Sequence, residues 1–357
     1  MTESRRHESR QGMTLALGIL LSALIFGFLI AGHLKALARA SSQIQGRYVI
    51  LAATAAMGSY AMVALAFRKV LKALGFAMSF AEILGVVLVS STANYLISSM
   101  GLSGFALKAH LLRKRLVPYG TTVTASVLTS VILYSALALV VLGGLIHLII
   151  HWGGAKMAWM EGAFGFAIFA AMAAMGSILF YGRKFRSRVT RAMFHGINRA
   201  LFSVSRSSIP PEHFEDFERQ LEEGLARARR AKGAMAATVF YTCVDWSLVL
   251  LTLYFSFRAV GEALGVGDLS AGFTVGQAMS LIPILPAGLG AMEGSMAVVF
   301  EKLGVEFGAA LIAALVYRAA FYMLPGLVSV FVLWGLKVSE PDFVRRSERG
   351  EVENGLL

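Results

Sequence analysis

Charge is what this sequence has least of. Only 15 % of its 357 residues are Asp, Glu, Lys or Arg, while 57 % are hydrophobic. With a mean hydropathy of +0.68, that composition excludes an ordinary soluble domain, in which about a quarter of residues are charged. Cysteine is nearly absent as well. The single Cys243 excludes an intrachain disulfide and a cysteine-based zinc site, and its apolar surroundings predict a small buried hydrophobe. No run of alternating ten-residue strands is present, which argues against a transmembrane barrel. Enzyme signatures are missing too: there is no phosphate-binding glycine loop, no His-Glu-x-x-His and no nucleophile elbow.

What the sequence does have is a series of uncharged runs long enough to cross a bilayer, each needing about 20 residues. The expected fold class is therefore an all-α polytopic membrane protein. The net charge of +12 does not signal nucleic acid, because most Lys and Arg flank apolar spans, as they do in cytoplasmic loops. Spans are expected at residues 13–31, 48–67, 121–152, 163–181, 234–257 and 307–334, with both termini cytoplasmic. The run at 13–31 is too long for the h-region of a signal peptide.

Two further apolar segments, 81–115 and 273–303, are broken. Pro283 and Pro286 each remove a backbone donor, and Gly288 and Gly290 weaken helix persistence, so 273–303 is expected as two half-helices meeting at a bend. Laid over it, Asn94 to Lys108 places Gly101 on Gly288 and Ser103 on Gly290. If 81–115 crossed completely, Lys108, Arg113, Lys114 and Arg115 would lie outside, against the positive-inside rule; a re-entrant hairpin avoids this. The chain then divides into a first repeat at 1–152 and a second, oppositely oriented repeat at 162–336. A cytoplasmic segment at 183–232 interrupts the second, and a tail follows at 337–357. Six transmembrane helices plus two re-entrant hairpins in an inverted repeat is a plan used for moving substrates across bilayers. Residues 183–206 are basic without an acid and read as an amphipathic helix on an anionic membrane face, with a second helix after Pro211; the segment reads equally as a solvated connector with ordinary charge matching.

Charged groups inside spans cost about 2.5–3.5 kcal/mol each on insertion scales, so each is a functional candidate. Glu293 falls in the first turn after the bend, where a carboxylate meets free amides. It reads either as a helix cap or as a proton-linked gate near a headgroup. Arg318 is its expected partner, or a fork for a lipid phosphate. Asp245 reads as a partner of Arg318, as a group facing a wet cavity, or as a hydrogen-bonding link to a neighbouring helix. Ser103 is expected to cap a helix starting at Phe105, and Asn94 to satisfy backbone at the bend or touch a headgroup. Lys108 and Arg113 read as headgroup contacts or interface anchors. His147 and His151 share a helix face, but no third metal ligand is evident, and no cofactor is expected.

The pattern Pro286-x-Gly288-x-Gly290-x-x-Glu293, followed by Tyr317-Arg318 and Pro325, resembles the lysylphosphatidylglycerol synthase transmembrane (flippase-like) domain family. Asn94, Gly101, Gly104 and Lys108 resemble that family's first motif, and the resemblance covers about residues 15–336. It implies a bacterial or archaeal cytoplasmic-membrane protein that translocates a polar-headed lipid. Two departures stand out. No soluble aminoacyl-transferase domain follows Trp334, so lysyl transfer is not expected, and Phe105 stands where the family tends to have Glu. The expected partner is a membrane lipid, anionic or zwitterionic, with a homodimer left open. Transport without an ATP motif would be downhill, scrambling or ion-coupled, with Glu293 as the coupling candidate. The rival readings are a membrane transferase on a lipid or polyprenyl-linked substrate, and a non-catalytic partner of a lipid-modifying enzyme.

Overall fold

The computed structural model describes residues 44–96, 102–152, 187–188, 191, 211–280 and 290–338. The spans expected at 13–31 and 163–181, nearly all of 183–206, Gly101, Pro283, Pro286, Gly288 and most of the tail lie outside the described residues. Within them the chain is helical, without a strand. In order come α1 (Gly46–Ala73), α2 (Phe80–Leu96), α3 (Leu102–Arg113), α4 (Tyr119–Trp152) and α5 (Pro211–Arg230). They are followed by α6 (Lys232–Ala259), α7 (Val266–Ser280), α8 (Ala291–Lys302), α9 (Phe307–Arg318) and α10 (Leu324–Val338).

Helices α1, α4, α6 and the continuous α9–α10 are each long and apolar enough to span a bilayer. Their outward faces expose Ile50, Leu139, Ile150, Phe240, Val330 and Phe331, while Ser59, Thr122, Thr242, Thr252 and Ser256 are buried. Apolar outside and polar inside is the arrangement hydrocarbon favours, so the molecule is a multi-pass membrane protein. Cys243 is on the outside of α6, correcting the buried position expected for it. It lies outside the packed core on a helix apolar enough to span a bilayer, where a small hydrophobe is still a fitting residue.

The order long helix, short pair, long helix occurs twice: α1, α2 with α3, α4, and then α6, α7 with α8, α9–α10. Each short pair packs on itself. A Cβ at Gly272 would strike the Phe300 ring and one at Gly276 the Met296 side chain, a register in which α8 runs back along α7.

α1 and α6 form the closest long contact. Gln45 N–H donates to the Ala259 carbonyl at 2.8 Å, Gly58 abuts Leu248, and Ser59 meets Asp245, so the two run antiparallel. Small residues make this fit possible: Ala52, Ala55, Ala56, Ser59 and Ala66 from α1 face Thr238, Thr242, Asp245, Thr252 and Ser256 from α6.

α5 buries Leu221, Leu225 and Ala228 in the core shared by α1, α2 and α4. Arg227 donates to the Leu74 carbonyl at the end of α1 (3.0 Å), and Gln220 accepts the Gly120 N–H at the start of α4 (3.1 Å), each satisfying a helix-terminal group. This second half of the segment at 183–232 is a docked brace, because its apolar stripe has a protein surface to cover.

α4 packs on α7 through Gly144, where a Cβ would strike the Ser270 carbonyl; at neighbouring Gly143 it would meet open space. Gly144→Ala is therefore expected to destabilise by about 1–3 kcal/mol. Gly143→Ala should be neutral or stabilise by up to about 1 kcal/mol. Thermal unfolding in detergent micelles checks the pair, and equal shifts in both would contradict this packing.

Candidate functional site

The described part of the second break is Gly290, whose φ of 86° is a left-handed conformation that only glycine adopts without strain. From it α8 starts, placing Glu293 in the first turn. Its Oε2 accepts the Gly290 N–H at 2.8 Å, and its Oε1 pairs with the Arg318 guanidinium from α9. Both groups are buried, Glu293 at 1 % exposure and Arg318 at 8 %. The cap and the ion pair read as alternatives for this carboxylate are thus simultaneous, one oxygen serving each.

Directly after Arg318 the helix takes a π turn, Ala319–Met323. Pro325 has no N–H for the Phe321 carbonyl four residues before it. Tyr60 from α1 supplies the donor instead, through its hydroxyl at 3.0 Å. The turn re-aims the chain so that Tyr322 lies under the Arg318 guanidinium, 5.2 Å from its ring centroid.

Tyr322 in turn packs edge-on against Tyr95 at 4.6 Å between centroids. Tyr95 follows Asn94 on α2, beside the first break. The Asn94 Oδ1 accepts the Gly104 N–H at 2.7 Å, and the Ser103 hydroxyl donates to the Ala93 carbonyl at 3.1 Å. Asn94 therefore satisfies backbone at the bend, as read from sequence. Ser103 does not cap a helix at Phe105. α3 already begins at Leu102, which places Ser103 in its first turn with the hydroxyl turned back to α2.

A line of contacts thus joins the two broken segments: Asn94, Tyr95, Tyr322, Arg318, Glu293. Tyr60 and Tyr317 complete it, both packed against Phe321, with Tyr317 also against Tyr322. Sequence reading missed these tyrosines as a group. The available signal was their depth, since membrane tyrosines usually mark the interfaces.

Other candidates sit apart from this line. Lys108 places its ammonium 4.8 Å from the Phe67 ring centroid, and Arg113 its guanidinium 4.8 Å from that of Tyr119. Asp245 is 3 % exposed and accepts from Ser59 across the α1–α6 contact at 2.5 Å, so of its three readings the link to a neighbouring helix is the one present. His147 pairs with Asp268 of α7 at 2.7 Å. Among the described residues no cluster of His, Cys, Asp or Glu could hold a metal.

Apolar outer faces, twice-broken chain and a buried charge pair at one break define a polytopic membrane protein built around an intramembrane polar centre. Its sequence matches the family described as lysylphosphatidylglycerol synthase TM region over residues 15–329, and the chain belongs to that family. A UPF0104 membrane protein of Methanothermobacter thermautotrophicus is 31 % identical over 111 residues, covering 31 % of this chain and 32 % of the relative. Another, from Pyrococcus horikoshii, is 23 % identical over 155 residues, 43 % of each chain. A phosphatidylglycerol lysyltransferase of Staphylococcus aureus is 28 % identical over 91 residues, 26 % of this chain but only 11 % of the relative. In each case the chain matches less than half of the relative's length.

Proposed function

We propose that this protein is a lipid translocase of the flippase or scramblase kind, passing a polar headgroup between leaflets while the acyl chains stay in the bilayer. The observation that carries this reading is the contact line from Asn94 to Glu293, a run of polar and aromatic groups that links the two broken segments and holds a buried carboxylate and guanidinium. An unaided headgroup must leave its hydrogen bonds at the membrane surface, at several kcal/mol for each unpaired polar group. A buried carboxylate, guanidinium and set of tyrosine hydroxyls can replace them.

Helix length supports two re-entrant hairpins. α2, α3, α7 and α8 have 17, 12, 15 and 12 residues, or about 26, 18, 22 and 18 Å at 1.5 Å per residue, against a hydrocarbon core of about 30 Å. Placing Arg68, Lys69, Lys72 and the 108–115 cluster in the cytoplasm, with the hairpins entering from opposite sides, satisfies the positive-inside rule. In this arrangement Lys108 and Arg113, with the bend at Gly101 and Ser103, receive an anionic or zwitterionic headgroup on the cytoplasmic side. The bend at Pro286, Gly288 and Gly290 receives it on the other, and Glu293 with Arg318 gates the passage between them.

The test is reconstitution into liposomes carrying a fluorescent phospholipid whose outer-leaflet fraction is bleached by a membrane-impermeant reductant. The protein should raise the bleached fraction from about half toward completeness. An unchanged fraction would overturn the reading, and chemical conversion of the lipid without movement would replace it with the transferase alternative.

A further inference from the structure

We propose that Asp245 is a proton-binding site inside the membrane, and that its protonation sets the packing of α1 against α6. Three observations carry this. The carboxyl is buried mid-span where α1 and α6 pack most extensively among the described residues, and it bridges there to Ser59. No cation among the described residues pairs with it, in contrast to Glu293. And Thr242, one turn earlier on the same face of α6, is 1 % exposed with an Oγ1 that has no hydrogen-bond partner among the described residues. Thr238, Thr252 and Ser256 on that face each donate to the carbonyl four residues before, so Thr242 is the one hydroxyl left over.

A lone carboxylate with one donor is costly in hydrocarbon, whereas the neutral acid is both donor and acceptor and needs no counter-charge. The step is a simple transfer: Asp245 carboxylate takes a proton from hydronium, giving the carboxylic acid and water. In reverse, the charged form needs further donors. Ser59 already donates, so the Thr242 hydroxyl and water supply them, and only if α1 and α6 shift. The groups facing Asp245 are compatible with this role. α1 brings Ser59, and the adjoining cluster of Tyr60 on α1, Tyr95 on α2 and Tyr317 on α9 carries phenols rather than cations. Arg318, also on α9, is engaged by Glu293, and α7 contributes the apolar Phe273 ring against Trp246. Only the link from this site to lipid movement rests on the translocase reading; the site itself does not.

Cys243, two residues before Asp245 and exposed on α6, is a native reporter. A nitroxide attached there, on the full chain in liposomes, should give a spectrum that changes reversibly with pH. Asp245→Asn should abolish the change, and Ser59→Ala should keep it while moving its midpoint along the pH axis. A flat wild-type response, or an unaltered response in Asp245→Asn, would overturn the site. So would a change driven by sodium at constant pH, which would make the ligand a metal cation. Since the label responds without any lipid crossing, a pH response in protein that leaves lipid accessibility unchanged would sink the translocase and leave the proton site standing.

Discussion

Arg318→Ala is expected to abolish lipid movement and to destabilise the protein by about 3–5 kcal/mol, the cost of stranding one member of a buried ion pair. Glu293 would keep its bond from the Gly290 N–H but lose the only cation described against its other oxygen, at 1 % exposure. Tyr322 would lose the guanidinium above its ring. Glu293→Gln should be milder in stability, because the amide oxygen still accepts from Gly290, yet should slow movement strongly. The double variant Glu293→Gln/Arg318→Met separates the roles. Two neutral side chains of similar volume should recover most of the stability, since a buried pair is often replaceable by apolar contacts. Lipid movement should stay lost. Thermal unfolding in micelles and the bleaching assay read the two effects separately. A double variant that moves lipid at the wild-type rate would make the pair a strut and remove it from the path.

How much of this was legible beforehand divides along a physical line. Glu293 and Arg318, 25 positions apart, stood out because a charge in an apolar run is costly enough to need a partner, and they found each other. The start of α8 at Ala291 was legible from Gly290, whose φ of 86° suits only glycine. Ser59 opposite Asp245 was not legible: it lies 186 positions away, and a serine in a span carries no signal of cost. Cys243 was misread for a related reason. The buried face of α6 carries Thr238, Thr242, Asp245, Thr252 and Ser256, and lipid is as apolar as a protein core, so a rule that sends apolar residues inside misplaces Cys243. The π turn had a cue in Pro325 four residues after Phe321, but which helix would supply the missing donor depends on the tertiary fold. The tyrosines at the centre were hidden by the usual rule that places tyrosine at interfaces.

Gly104→Ala should be nearly as disabling as loss of the arginine, although it touches no charge. A Cβ there would coincide with the Ser90 carbonyl oxygen and the Asn94 side chain, both on α2. Asn94 can swing away; the Ser90 backbone cannot, because it belongs to a helix held in the core by Val86, Val87 and Leu88. α3 must therefore lift off α2, which breaks the 2.7 Å bond from the Gly104 N–H to Asn94 and draws the Ser103 hydroxyl from the Ala93 carbonyl. Overpacking of this kind costs about 1–3 kcal/mol, and each lost hydrogen bond about 0.5–1.5 kcal/mol. The functional loss should exceed what stability alone predicts, because the lifted arm carries Lys108 and separates Gly104 from Asn94, detaching α3 from the end of the contact line. Asn94→Ala isolates the hydrogen bond from the steric term: it removes the acceptor, leaves α3 free to stay seated, and should reduce movement only partly. Gly46→Ala, at a position with open space around it, serves as the control and should match wild type. If Gly104→Ala unfolds and moves lipid like that control, close seating of α3 on α2 is dispensable, and the first broken segment contributes nothing to the passage.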